Sequence, residues 1–197
     1  MLVFDKDMYK YDFYFVKDNK LWIRVPKNAS STIRATFDFN GWDRFNKSDI
    51  DFSKITKSFM ICRNPFDRLV SCWFDRVGFV RRGGIFRIPT NPFLHNTSFE
   101  MFIKGVCTLT DEESDHHFRS QSWFVENVDC DYEVIKIEEI NDNWDIITNV
   151  LGEKVNTFTI NKKKSKREEY QTYYNSELIE LVEKRYNKDL KLFNYSY

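Results

Sequence analysis

Three times along the chain a short apolar run is followed at once by a segment of helical pattern, and this order constrains the fold more than any other feature. The runs are Leu21-Trp22-Ile23-Arg24-Val25, Phe59-Met60-Ile61-Cys62 and Tyr132-Glu133-Val134-Ile135-Lys136-Ile137, each of buried-strand length. After the first, Ser30 or Ser31 caps a helix reaching about Phe37. After the second, Asn64 as N-cap and Pro65 at the first helical position open a helix to about Val77. After the third, residues 138–151 carry Ile140, Trp144, Ile147 and Val150 at helical spacing and stop at Gly152. A last helix covers 176–192, with Leu178, Leu181, Val182, Tyr186 and Leu190 as its inner stripe. Repeated strand-then-helix order requires right-handed crossovers. The chain therefore reads as α/β: a three-layer sandwich with a central, mostly parallel sheet covered on both faces.

Composition narrows the reading. With only 6 Gly and 4 Pro in 197 residues, and no repeat, hinges are few and one domain over residues 1–197 is expected. Lys+Arg and Asp+Glu number 30 each, which argues against a nucleic-acid or membrane-surface partner, since phosphate attraction needs a basic excess. No run approaches the roughly 20 apolar residues of a membrane helix. Asp5, Lys6, Asp7 and Lys10 stand where a signal peptide would be apolar. Cys62, Cys72, Cys107 and Cys130 lack metal-binding spacing and read as free thiols of a reducing, cytoplasmic compartment. The Asn-, Lys-, Ile- and Phe-rich composition points to an AT-rich genome, microbial or viral.

Ligands of α/β sheets bind at the carboxyl ends of the strands. Two strands end directly in the two most unusual segments of the chain. The first is Val25-Pro26-Lys27-Asn28-Ala29-Ser30-Ser31-Thr32-Ile33. Small residues let backbone N–H groups turn inward, hydroxyls add donors, a helix start adds partial positive charge, and Lys27 adds a full one. Both glycines of a Walker loop are missing, and the lysine precedes the small residues. The same residues also describe an ordinary strand-to-helix turn with a serine cap. The second segment is Ile61-Cys62-Arg63-Asn64-Pro65-Phe66-Asp67-Arg68-Leu69-Val70-Ser71, in which the Arg63 fork and the Ser71 hydroxyl suit a phosphate monoester. Arg68 reads as a structural partner for a carboxylate such as Asp67 or Asp75.

A PKxxSST-type loop after one strand and RNPxxRLxS after another resemble the sulfotransferases that use 3′-phosphoadenosine 5′-phosphosulfate (PAPS), most closely the carbohydrate sulfotransferases. Four further segments are similar in order and spacing, from about Leu21 to Tyr195: Ser98-Phe99-Glu100-Met101-Phe102, Asp115-His116-His117-Phe118-Arg119-Ser120-Gln121, Asp131 to Glu138, and Tyr186 to Tyr195. Those relatives carry a membrane anchor and lumenal disulfides, and this chain shows neither. Its Asn-x-Ser/Thr sequons, Asn28-Ala29-Ser30 among them, read as chance in an Asn-rich chain.

The resemblance implies a P-loop-like sulfotransferase fold and transfer of the PAPS sulfuryl group to an acceptor, a saccharide by the family's habits. In that assignment Lys27 is catalytic at the leaving oxygen. Asn28, Ala29, Ser30, Ser31 and Thr32 hold the 5′-phosphate with Lys27, while Arg63 and Ser71 hold the 3′-phosphate. No metal is required, and no metal-ligand cluster is evident in the sequence. His117 is the leading general base. His116, His95 or a carboxylate among Asp38, Asp43, Asp49 and Asp51 are the alternatives. The basic run Lys162-Lys163-Lys164-Ser165-Lys166-Arg167 reads either as a solvated loop or as a cationic flap for the 3′-phosphate or an anionic acceptor. Trp73, Phe74, Phe79, Phe86 and Phe93 offer stacking surfaces, though aromatics at such spacing are mostly core. Two competing functions are a kinase on a related sheet, which needs a glycine-rich loop that is missing, and a non-catalytic polyanion binder working through the basic run.

Overall fold

The computed structural model describes residues 13–81, 98–155 and 167–197. They fall into two compact units, residues 13–63 with 124–155, and residues 64–81 with 98–123 and 167–197.

The first unit holds a five-stranded sheet in the order β3-β1-β2-β4-β5: β1 (Tyr14–Lys17), β2 (Lys20–Ile23), β3 (Asp43–Phe45), β4 (Lys57–Cys62) and β5 (Glu133–Lys136). The three strands legible in the sequence, β2, β4 and β5, form its parallel part. The sheet as a whole is mixed, because β1 pairs antiparallel with both β2 and β3. The β1–β2 hairpin turns on Asp18 (φ 50°) and Asn19 (φ 60°), two residue types that enter the left-handed region readily and give the primed turn a tight hairpin needs. Strand alternation puts Phe15, Trp22, Phe59, Ile61 and Ile135 in one cluster with Ile33 and Phe37 of the α1 region and Ile147, Val150 and Leu151 of α5. Here α1 is Ser30–Thr36 and α5 is Trp144–Leu151. Register partners stack across the strands: Trp22 on Phe59 at 6.2 Å, nearly parallel, and Phe15 on Trp22 at 5.1 Å. The alternate residues Leu21, Ile23, Met60 and Cys62 are fully buried as well, so β2 and β4 are covered on both sides.

The second unit contains α2 (Pro65–Arg81), α3 (Phe99–Val106), α6 (Ser176–Arg185) and α7 (Asn187–Leu192), while α4 (Gln121–Val125) runs out of it. Asn64 caps α2 as the sequence indicates, its Oδ1 accepting the Phe66 N–H at 3.0 Å. Ser98 and Asn175 cap α3 and α6 in the same way. The core joins Phe66, Leu69 and Val70 of α2 to Phe102, Ile103 and Val106 of α3 and to Leu178, Val182 and Tyr186.

Three element boundaries differ from expectation. Neither Ser30 nor Ser31 caps α1; Ala29 occupies that position in the left-handed region, and Ser30 donates backward to the Val25 carbonyl at 3.0 Å. The segment 138–151 is a 3-10 turn (Ile137–Glu139) followed by α5, because Asn141, Asp142 and Asn143 are poor helix formers. The last helix breaks into α6 and α7 at Tyr186, a buried residue whose hydroxyl is drawn to the Phe118 carbonyl.

One ion pair ties this unit together. Asp111 Oδ1 accepts Arg185 Nη2 at 2.7 Å and the Ser120 N–H at 2.8 Å, and Arg185 Nε also donates to the Leu109 carbonyl. Burial alone would push the Asp111 carboxyl up; the Arg185 hydrogen bond and charge outweigh it and hold the carboxyl below its ordinary value. A depressed folded-state value means the contribution is complete above pH ~4 and lost as pH falls toward the folded value. Asp111→Asn is expected to cost about 1–3 kcal/mol at neutral pH. Its urea midpoint should also fall less than the wild type's between pH 5 and pH 2, which a urea titration series across pH would measure.

Candidate active site

The segment after β2 is shaped by two residues that a glycine would usually replace. Lys27 (φ 72°) and Ala29 (φ 57°) both lie in the left-handed region, with Asn28 between them at negative φ. Such an alternation of backbone hand is the pattern of an anion nest, which can turn N–H groups toward one concavity. Asn28 is buried and ties the nest to the neighbouring strand, its Nδ2 donating to the Ile61 carbonyl at 2.7 Å. From the other side, Arg63 Nη1 donates to the Lys27 carbonyl at 3.0 Å. The parallel pairing of β2 with β4 thus brings the two sequence-predicted loops into direct contact.

Not every donor expected of this loop faces outward. The Asn28 N–H donates to Val25 O, and the Thr32 and Ile33 N–H groups donate to Ala29 O at 2.9 and 3.0 Å. Ser30 is buried with its hydroxyl on Val25 O, whereas Ser31 is exposed, and Thr32 and Lys27 are half-buried. Asn28 and Ser30 therefore shape the loop. A cleft of about 380 Å³ lies beside it, lined by Arg24, Ser30, Ser31, Arg34 and Ala35. The two arginines were not singled out from the sequence, although both flank the loop (Arg24-Val25-Pro26-Lys27 and Thr32-Ile33-Arg34) and carry the charge an anion cleft needs.

Ser71 sits half-buried on α2, in the helical unit. Arg68 is buried and structural, as expected, with carbonyl partners: Nη1 donates to Arg119 O at 2.7 Å and Nη2 to His116 O at 3.4 Å. It holds the turn that carries His116 and His117. The closing motif holds the same region. Asp189, fully buried, accepts the N–H groups of Gln121 and Ser122 at 2.7 and 2.8 Å and so caps α4, while Tyr186 reaches Phe118 O. Burial pushes the Asp189 carboxyl up against the pull of these donors.

His117 is half-buried, with Nδ1 2.6 Å from Asp115 Oδ1, and His116 Nδ1 lies 3.9 Å from the same oxygen. Although Asp115, His116 and His117 lack metal-ligand spacing in the sequence, their turn brings one donor atom of each within 4.8 Å of the others. Spacing along the chain gives no sign of this grouping, which arises only when the turn closes. The alternative carboxylates Asp38, Asp43, Asp49 and Asp51 are all exposed. Asp51 pairs with Lys54, and the Ser53 hydroxyl, followed by Lys54, holds its carboxyl below the ordinary value, a poor setting for a base. His95, Phe86, Phe93 and residues 162–166 lie outside the described residues, as does the Phe79 side chain. Arg167 closes the basic run in an ion pair with Asp67 on α2, at 2.6 Å. Trp73 and Phe74 pack edge-on against each other and Tyr173 at the margin of the core.

A family model described as "Sulfotransferase family" matches residues 11–196, almost the whole chain. The chain belongs to the sulfotransferase family. It is accordingly classed as a sulfotransferase of the PAPS-dependent kind, which separates it from the kinase and polyanion-binding alternatives. No curated protein and no solved structure matches it. Among the described residues, no helix is long and apolar enough to cross a membrane.

The strained nest makes a prediction of unusual sign. A non-glycine residue in the left-handed region costs roughly 1–2 kcal/mol, so Ala29→Gly should raise stability by about 1 kcal/mol, read as a higher urea midpoint. Asn28→Ala should lower it by about 1–3 kcal/mol, because the Ile61 carbonyl loses its buried donor.

Proposed function

We propose that this sulfotransferase moves the sulfuryl group of PAPS to an acceptor hydroxyl, that of a saccharide, by in-line displacement. The contact that carries this reading is Arg63 on the Lys27 carbonyl, which sets two anion-binding segments side by side at the ends of adjacent parallel strands. PAPS supplies an activated sulfuryl group on a 5′-phosphate, with a second phosphate at the 3′ position.

Each residue then has a defined task. Lys27 neutralises charge developing on the oxygen between sulfur and the 5′-phosphate, the largest electrostatic demand of the step. Backbone N–H groups of the nest and the Ser31 and Thr32 hydroxyls hold the 5′-phosphate, with Asn28, Ala29 and Ser30 giving the loop its shape. Arg63 and Ser71 hold the 3′-phosphate through charge-assisted hydrogen bonds. His117 accepts the acceptor's proton as the new O–S bond forms and the S–O bond to the 5′-phosphate breaks, leaving 3′-phosphoadenosine 5′-phosphate. None of these tasks calls for a metal ion. The saccharide acceptor follows the habits of the carbohydrate sulfotransferases. Four free cysteines, two of them buried, suit a reducing compartment such as the cytoplasm.

Thermal unfolding with 3′-phosphoadenosine 5′-phosphate tests the assignment. At a hundredfold excess over its dissociation constant the nucleotide should add about 2.7 kcal/mol of stability. The shift should vanish in Lys27→Ala and Arg63→Ala variants that keep the wild-type circular dichroism. A shift produced by ATP with magnesium and not by the bisphosphate nucleotide would overturn it.

A further inference from the structure

The carboxylate of Asp115 was given no role in the sequence, yet the fold fastens it to the imidazole of His117. Resting on the reading of His117 as proton acceptor, we infer that Asp115 is a positioning residue: it holds the Nδ1–H of His117, fixes the neutral ring as the tautomer with its lone pair on Nε2, and strengthens that nitrogen as a base.

The geometry is specific. Asp115 Oδ1 lies 2.6 Å from His117 Nδ1 and also accepts the backbone N–H of His117 at 2.8 Å. Ring and backbone of the histidine are thus pinned to one atom. The turn is closed by the Phe118 and Arg119 N–H groups on the Asp115 carbonyl, at 3.1 and 2.9 Å. Arg68 from α2 and Tyr186 from the α6–α7 break fasten its far side through the carbonyls of His116, Arg119 and Phe118. Groups near His117 among the described residues include Asp115 and the stacked His116 ring in its own turn (centroids 4.0 Å apart), Arg68 from α2, Tyr186, and Arg119, which donates to Ser114 O. Asp115 is an anion in direct contact with the ring. Burial alone would push its carboxyl up; the hydrogen bond from His117 and the two imidazoles hold it well below the carboxylate range, so it stays charged.

A metal ion shared by the three side chains is the competing use of the cluster. Tetrahedral ligands at 2.0–2.1 Å from zinc stand about 3.3 Å apart. The 2.6 Å separation of Asp115 Oδ1 and His117 Nδ1 is a hydrogen-bond distance, too short for these two atoms to be ligands of one ion. In the transfer, Nε2 takes the hydroxyl proton while the O–S bond forms and the S–O bond to the leaving phosphate breaks. The imidazolium then returns the proton to solvent.

The chain has 3 histidines, few enough for long-range proton–nitrogen NMR to follow each ring. In the wild-type protein His117 should show, in its neutral form, a proton on Nδ1 and none on Nε2. In Asp115→Asn, whose Oδ1 still accepts both hydrogen bonds, the His117 titration midpoint should fall by about one unit or more, a tenfold loss of proton affinity. A role confined to capping the turn would leave that midpoint in place. An Nε2–H tautomer in the wild type, a metal-bound Nδ1, or an unmoved midpoint in Asp115→Asn would each overturn the inference. The tautomer is read in the wild type, so the test survives a variant that fails to fold. Loss of the nucleotide thermal shift in the wild-type protein would count instead against the PAPS reading and leave the NMR result standing.

Discussion

The structure around the candidate site depends on one reciprocal pair of hydrogen bonds between neighbouring parallel strands. Asn28, in the loop after β2, reaches the Ile61 carbonyl on β4, and Arg63, just past β4, reaches back to the Lys27 carbonyl. Each loop is held by the other, so neither needs glycine to keep its shape. Two left-handed residues cost roughly 1–2 kcal/mol apiece. A buried carbonyl left without its donor would cost about 1–3 kcal/mol. The strain is thus within reach of what the clamp and the surrounding core offset.

The helical unit follows a similar logic with different parts. Residues of the family-like motifs, Arg68, Tyr186 and Asp189 among them, are buried donors and acceptors that hold one turn and the start of α4. A buried polar group is tolerated only when its partners are in place. What they hold is the turn with Asp115, His116 and His117. The family motifs therefore mix residues suited to chemistry with residues that only position them, and burial separates the two: Arg68 and Asp189 are inaccessible, while Lys27 and His117 are half-buried.

Much of this was legible in advance because it is local. β2, β4 and β5 declare themselves as apolar runs, Asn64-Pro65 declares the start of α2, and Gly152 the end of α5. β1 and β3 escaped because their pairing is decided across the hairpin at Asp18-Asn19 and by a distant edge, with little signal in their own residues. The serine cap expected for α1 failed because the nest at Lys27 and Ala29 takes the turn that a capping serine would have made. The continuous helix expected over 176–192 breaks at Tyr186, whose backbone (φ −108°, ψ 22°) leaves helical geometry while its side chain is buried against Phe118.

The amino-acid sequence by itself determined the α/β class, the two unusual segments at strand ends and membership of the sulfotransferase pattern, since periodicity, capping and short motifs are properties of neighbouring residues. Only the tertiary structure decided that Arg63 meets Lys27, that Arg24 and Arg34 share a cleft with Ser30 and Ser31, and that Asp115 belongs to His117. Each of those is a matter of a few ångströms, set by strand register or by the closing of a turn. Spacing along the chain carries no such information.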